Sequence, residues 1–134
     1  MTIHSNIITT IMLNPGLRVT LSDETRHYFG GYYHVKVLVH CIVPLDKFYF
    51  DDEAQYLDAL EKLGESVSFE RILEKMAVPE QDITSVRDQL VAAFNETTLR
   101  YLTTPDFDRR LVRNEYRICV GKFANRLAAK ALYR

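Results

Sequence analysis

One stretch constrains the fold of this 134-residue chain more than any other. Positions 33, 35, 37, 39, 41 and 43 hold Tyr, Val, Val, Val, Cys and Val, an unbroken apolar row at period two. Side chains alternate across a strand, so these six share one face. The intervening Tyr32, His34, Lys36, Leu38, His40 and Ile42 make a mixed opposite face. The pattern predicts a long strand, buried on one side and partly wet on the other. The surrounding stretch, His27 to Phe50, holds seven of the fifteen aromatic residues and three of the four histidines.

The residues before it read as partners for that strand. Ile7–Leu13 and Leu17–Ser22 flank Asn14-Pro15-Gly16. Proline presets one dihedral and glycine accepts a positive φ, so a hairpin is expected there. The polar run Ser22–Arg26 is expected to be a turn. Gly30-Gly31, between aromatic flanks, has the form of a two-residue hairpin loop. In that register Phe29 pairs with Tyr32, Tyr28 with Tyr33, and His27 with His34. The meander should end at Pro44, which cannot donate to a ladder.

Beyond Phe50 the period changes. Asp52 stands at N-cap position with Gln55 at capping-box spacing, Tyr56, Leu57, Leu60 and Leu63 share a helical face, and Gly64 is a natural stop. Phe69, Ile72, Leu73 and Met76 repeat at helical spacing up to Pro79, predicting a short amphipathic helix. Val86, Leu90, Ala93, Phe94, Thr97 and Tyr101 predict a longer one, closed by Thr103-Thr104-Pro105. Residues 106–133 read as helical with a change of face. Phe107, Leu111 and Ile118 fall together, whereas Phe123, Leu127, Ala128, Ala131 and Leu132 take the azimuth of Arg109, Arg110, Arg113 and Arg117. A break at Val120-Gly121 is expected, and a strand over Tyr116–Val120 is the alternative. The fold class is therefore α+β: a small antiparallel β-meander in the first 44 residues, packed on one face by C-terminal helices. Residues 1–134 are expected to form one domain, with the sheet in 1–50 and the helices in 51–134. The Val35, Val37, Val39 and Cys41 row is expected against Leu60, Ile72, Leu90 and Phe94.

Charge is unevenly spread despite a net −1. Residues 46–96 hold thirteen acidic and five basic groups, and residues 97–134 hold nine basic and three acidic. Mutual shielding of an acidic middle and a basic end is the expectation. Cys41 and Cys119 are too few for a disulfide framework, which points to reduced thiols and a soluble, cytoplasmic protein. No stretch approaches the roughly 18 consecutive apolar residues of a membrane span, and no membrane partner is expected.

No phosphate-binding glycine loop, nucleophile elbow or zinc-ligand spacing is present. The Asp51-Asp52-Glu53 cluster is accounted for by the start of a helix. Two function classes remain. The first is a non-enzymatic binding or assembly module that pairs with a second copy of itself, or with another protein, through Tyr32, His34, Lys36, Leu38, His40 and Ile42. The second is a small enzyme or metal-binding protein with a site at His27, Tyr28 and His34, since histidine can titrate near neutrality and ligate metals. His34 and His40, six residues apart on one strand, are about 20 Å from each other and cannot share a ligand. Nucleic-acid binding by Arg109, Arg110, Arg113 and Arg117 is weaker, because no aromatics are interleaved for base stacking. No cofactor is expected.

Overall fold

The computed structural model describes residues 6–13 and 16–132. The fold is α+β, with antiparallel strands in the first 44 residues and helices with one further strand after them. Two compact units form, residues 1–42 with 68–105 and residues 43–67 with 106–134.

In the first unit, β1 (Ile7–Leu13) and β2 (Leu17–Asp23) make the expected hairpin, with Leu13 opposite Leu17. Gly16 sits at φ +112° and its N–H donates to the Leu13 carbonyl. Asn14 and Pro15 of the expected turn lie outside the described residues. β3 (Arg26–Phe29) and β4 (Tyr32–Pro44) flank Gly30-Gly31. β2 pairs with β4 from Val19 opposite Cys41 to Asp23 opposite Val37, and Arg26 opposite His34 continues the same register. β2 and β3 therefore lie end to end along one edge of β4. The polar run Ser22–Arg26, expected to reverse the chain, only kinks it. The Asp23 carboxylate accepts the Thr25 N–H at 2.9 Å, and the Thr25 hydroxyl accepts the Lys36 N–H at 3.3 Å. This side-chain-closed turn gives the backbone a local detour while the strand carries on.

The other edge of β4 is covered by β5 (Ser66–Pro79), where a helix over Phe69–Met76 was expected. The two strands run antiparallel: Leu45 N–H donates to the Glu65 carbonyl at one end, and Glu80 N–H donates to the Gly31 carbonyl at the other. The segment fits both periods, because Val67, Phe69 and Leu73 also lie on one side of an extended chain. Pairing with an otherwise bare strand edge decides between them. Val67 and Val78 are buried, Phe69 and Leu73 half-buried, and Ile72 and Met76 exposed. Ala77, at φ +54°, resets the alternation so that Val78 turns inward.

Val19, Leu21, Val35, Val37, Val39 and Cys41 have no exposed surface, so the period-two row is the core of this sheet. Val35 packs with Val78 and Val86, and Ile83 and Leu90 of α2 (Ile83–Glu96) close over them. Of the other residues expected against the row, Phe94 is buried, Ile72 is exposed on β5, and Leu60 belongs to the second unit. The helix expected to run on to Tyr101 is interrupted at Thr97, whose hydroxyl donates to the Ala93 carbonyl at 2.8 Å. A short α3 (Thr98–Leu102) follows and buries Leu102, leaving Tyr101 exposed.

In the second unit, α1 (Glu53–Leu63) starts as its sequence predicts. Asp52 accepts the Gln55 N–H at 2.7 Å, Gln55 accepts the Asp51 N–H at 3.0 Å, and Gly64 ends the helix at φ +82°. Ala59 is buried and Tyr56, Leu60 and Leu63 are half-buried, whereas Leu57, expected beside them, is exposed. α4 (Phe107–Leu132) is one uninterrupted helix, with neither the expected break at Val120-Gly121 nor the alternative strand over Tyr116–Val120. A break was needed only if the apolar set beyond Gly121 also met a core. Residues 121–130 are all exposed, so the helix continues unbroken and a glycine costs it only about 1 kcal/mol.

Candidate functional site

The outer face of the first unit's sheet is built by the same alternation that builds its core. With the odd positions of β2 and β4 buried, Arg18, Thr20 and Ser22 stand beside Lys36, Leu38, His40 and Ile42. Arg26 pairs with His34 on that side, and Met12 pairs with Arg18. β5 contributes Glu70 and Glu74, placed there by contacts to His40 and His34, and alternation puts Ile72 between them. All six residues Tyr32, His34, Lys36, Leu38, His40 and Ile42 thus share one face, as the sequence predicts.

The face is amphiphilic. Met12 is 61% exposed, Ile42 51% and Ile72 48%. Nε2 of His34 is 3.4 Å from the Glu74 carboxylate and Nε2 of His40 is 3.7 Å from that of Glu70. The His34 Nε2 is buried and makes no hydrogen bond among the described residues. The cations Arg18, Arg26 and Lys36 lie on β2, β3 and β4, and the carboxylates Glu70 and Glu74 on β5, with apolar Met12, Leu38, Ile42 and Ile72 interspersed among them.

The alternative site at His27, Tyr28 and His34 does not assemble. The Gly30-Gly31 hairpin is present and Phe29 pairs with Tyr32, but a β-bulge at Tyr28 shifts the register by one. His27 then pairs with Tyr33, stacking edge-on at 5.3 Å, and His34 pairs with Arg26. A one-residue slip moves a side chain to the other face of the sheet, so His27 and His34 project from opposite sides. His27 Nε2 lies 2.5 Å from the Gly30 carbonyl and is occupied in holding the loop. Among the described residues no three His, Cys, Asp or Glu side chains converge where a metal ion could sit.

Arg109, Arg110, Arg113 and Arg117 lie in the N-terminal part of α4. Arg113 folds back to donate to the Tyr49 carbonyl at 3.1 Å and to Asp51 at 3.3 Å, and Arg117 donates to Asn114. Part of the basic segment thus meets the acidic one inside this unit, as the charge distribution suggests.

A polar cluster that sequence reading missed joins α1 to α4. Asp58 accepts from both Lys62 and Tyr116, each at 2.5 Å, across 58 positions of sequence in the second case. These bonds hold the Asp58 carboxyl below the usual carboxylate range and push the Tyr116 phenol up to about 12. A phenol held that firmly in its protonated form is a donor rather than a base, so the cluster clamps two helices. The i, i+4 spacing of Asp58 and Lys62 was visible in the sequence, but the long-range phenol carried no local signal. No helix among the described residues is long and apolar enough to cross a membrane. No protein-family model, curated protein sequence or solved structure matches this chain, so the outer sheet face stands as the candidate site on its geometry alone.

Proposed function

We propose that this protein is a non-enzymatic binding and assembly module that pairs with a second copy of itself through the outer face of its sheet. The observation that carries the reading is the pairing of half-exposed Met12, Ile42 and Ile72 with charges of both signs on opposite sides of one face. A two-fold axis through such a face brings the basic side of each copy over the acidic β5 of the other, so a single patch complements itself. Among the described residues β1 pairs only with β2, and β5 only with β4, which leaves each with an edge free for a second chain. The two free cysteines, one with its thiol pushed up by burial and so inert, suit a reducing cytoplasm.

Sedimentation equilibrium across the micromolar range tests the reading. The expected result is a concentration-dependent mass rising from one chain to two. The pair Ile42→Lys and Ile72→Lys should return it to one chain with an unchanged circular dichroism spectrum. A single-chain mass at every concentration overturns self-association, and a bait carrying this face would then be used to find a different protein partner.

A further inference from the structure

Past the end of α1, α4 carries a stripe of exposed apolar side chains among the described residues, of which Phe123 keeps a contact with Lys62. Near the end of α1, the Cys119 thiol lies on the Lys62 carbonyl and the Lys62 ammonium 5.2 Å above the Phe123 ring. α1 ends at Leu63, and α4 runs on to Leu132. Val120 is 38% exposed, Phe123 51% and Leu127 54%. At about 100° per residue these three fall within about 60° of one another, and the stretch 120–130 is about 15 Å long. Lys122, Arg126 and Lys130 form a second stripe about 90° from the first, and Arg117 stands on the other flank. Residues 116–132 hold these four basic groups and no acidic one.

We propose that this half of α4 lies on an anionic lipid bilayer surface, with Val120, Phe123 and Leu127 at the acyl boundary and the basic side chains among the headgroups. The uniform sign excludes a second copy of the same helix, since either orientation would set cation against cation. A nucleic acid would take the cations on its phosphates and leave the apolar stripe in water. An apolar stripe flanked on both sides by long cationic side chains is the arrangement that buries its stems and keeps its charges at the headgroups. The expectation of no membrane partner rested on the lack of a span, and a helix lying in the interface needs none.

The chain contains no tryptophan, so Phe123→Trp is a clean reporter in the full-length protein. Its emission should shift to the blue with vesicles of phosphatidylcholine containing about a third phosphatidylglycerol, and not with phosphatidylcholine alone. Each basic residue near an anionic surface contributes roughly fivefold, so adding K122E, R126E and K130E, which removes three attractions and adds three repulsions, should weaken partitioning by at least about 100-fold. Leu127→Ser should also weaken it. All of these positions are exposed, and the circular dichroism and thermal unfolding of each variant check that the fold is kept. Unchanged emission on the anionic vesicles overturns the proposal. So does binding that Leu127→Ser leaves intact, or an equal blue shift produced by polyglutamate or DNA.

Discussion

Asp23 sits where β2 kinks, and its surroundings pull in two directions. Burial disfavours its charge, but the Thr25 hydroxyl and N–H and the Arg87 guanidinium, 3.1 Å away, outweigh burial and hold the carboxyl below its ordinary value. A carboxyl lowered on folding contributes stability above its unfolded value and loses it as pH falls through the folded one. Asp23→Asn should therefore lower unfolding free energy at pH 7 by about 1–2 kcal/mol, and the deficit should shrink below about pH 4. Urea titrations of both proteins at pH 7 and pH 3 check this. Ala77 offers a second test. At φ +54° a Cβ is strained by about 1–2 kcal/mol, while glycine costs about 0.5–1 kcal/mol of backbone entropy. Ala77→Gly should raise the melting temperature by about 2–4 °C and Ala77→Val should lower it. Neither residue could be singled out from sequence. The core row from Val35 to Cys41 could, because period two is a property of the chain itself. The bulge at Tyr28 could not, since an extra residue in one strand is visible only against its partner.

At the scale of elements, α1, the β1–β2 hairpin and the Gly30-Gly31 loop were legible because their signals are local: a cap, a turn, a pair of glycines. β5 was not, because Phe69, Ile72, Leu73 and Met76 satisfy helical spacing and the open edge of β4 is a long-range fact. α4 is legible as a helix, but its change of apolar face suggests a break that the exposed second half does not require. The same helix holds the clamp on α1, and that clamp has a pH signature. Tyr116 donates to Asp58 and its phenol is pushed up to about 12 by that bond and by burial. A phenol raised on folding adds stability fully below its unfolded value near 10, and the gain is lost as pH rises through the folded one. Tyr116→Phe should cost about 1 kcal/mol at pH 7. The difference between the two proteins should disappear between about pH 10 and pH 12, followed by thermal unfolding across that range.

For the whole molecule, a net charge of −1 leaves little long-range repulsion between copies, so under the proposed self-association the local pattern of the outer sheet face would govern encounter. Arg26 and Lys36 stand on one side of that face and Glu70 and Glu74 on the other. If two copies meet about a two-fold axis, reversing either side alone sets like charges against each other at both symmetry-related contacts. The variant carrying Glu70→Lys and Glu74→Lys should then be monomeric at concentrations where the parent is dimeric. The variant carrying Arg26→Glu and Lys36→Glu should be monomeric too. Within each chain these exposed pairs contribute only about 0–1 kcal/mol, so both variants should keep the fold. Mixed in equal amounts the two present opposite signs again, at one of the two contacts with the original polarity exchanged. A heterodimer should form, weakened by salt because its recovered attraction is electrostatic. Sedimentation of the two variants separately and mixed reads this directly. Dimers in either variant alone place the contact on another surface, and monomers in the mixture mean that the two sides of the face do not meet.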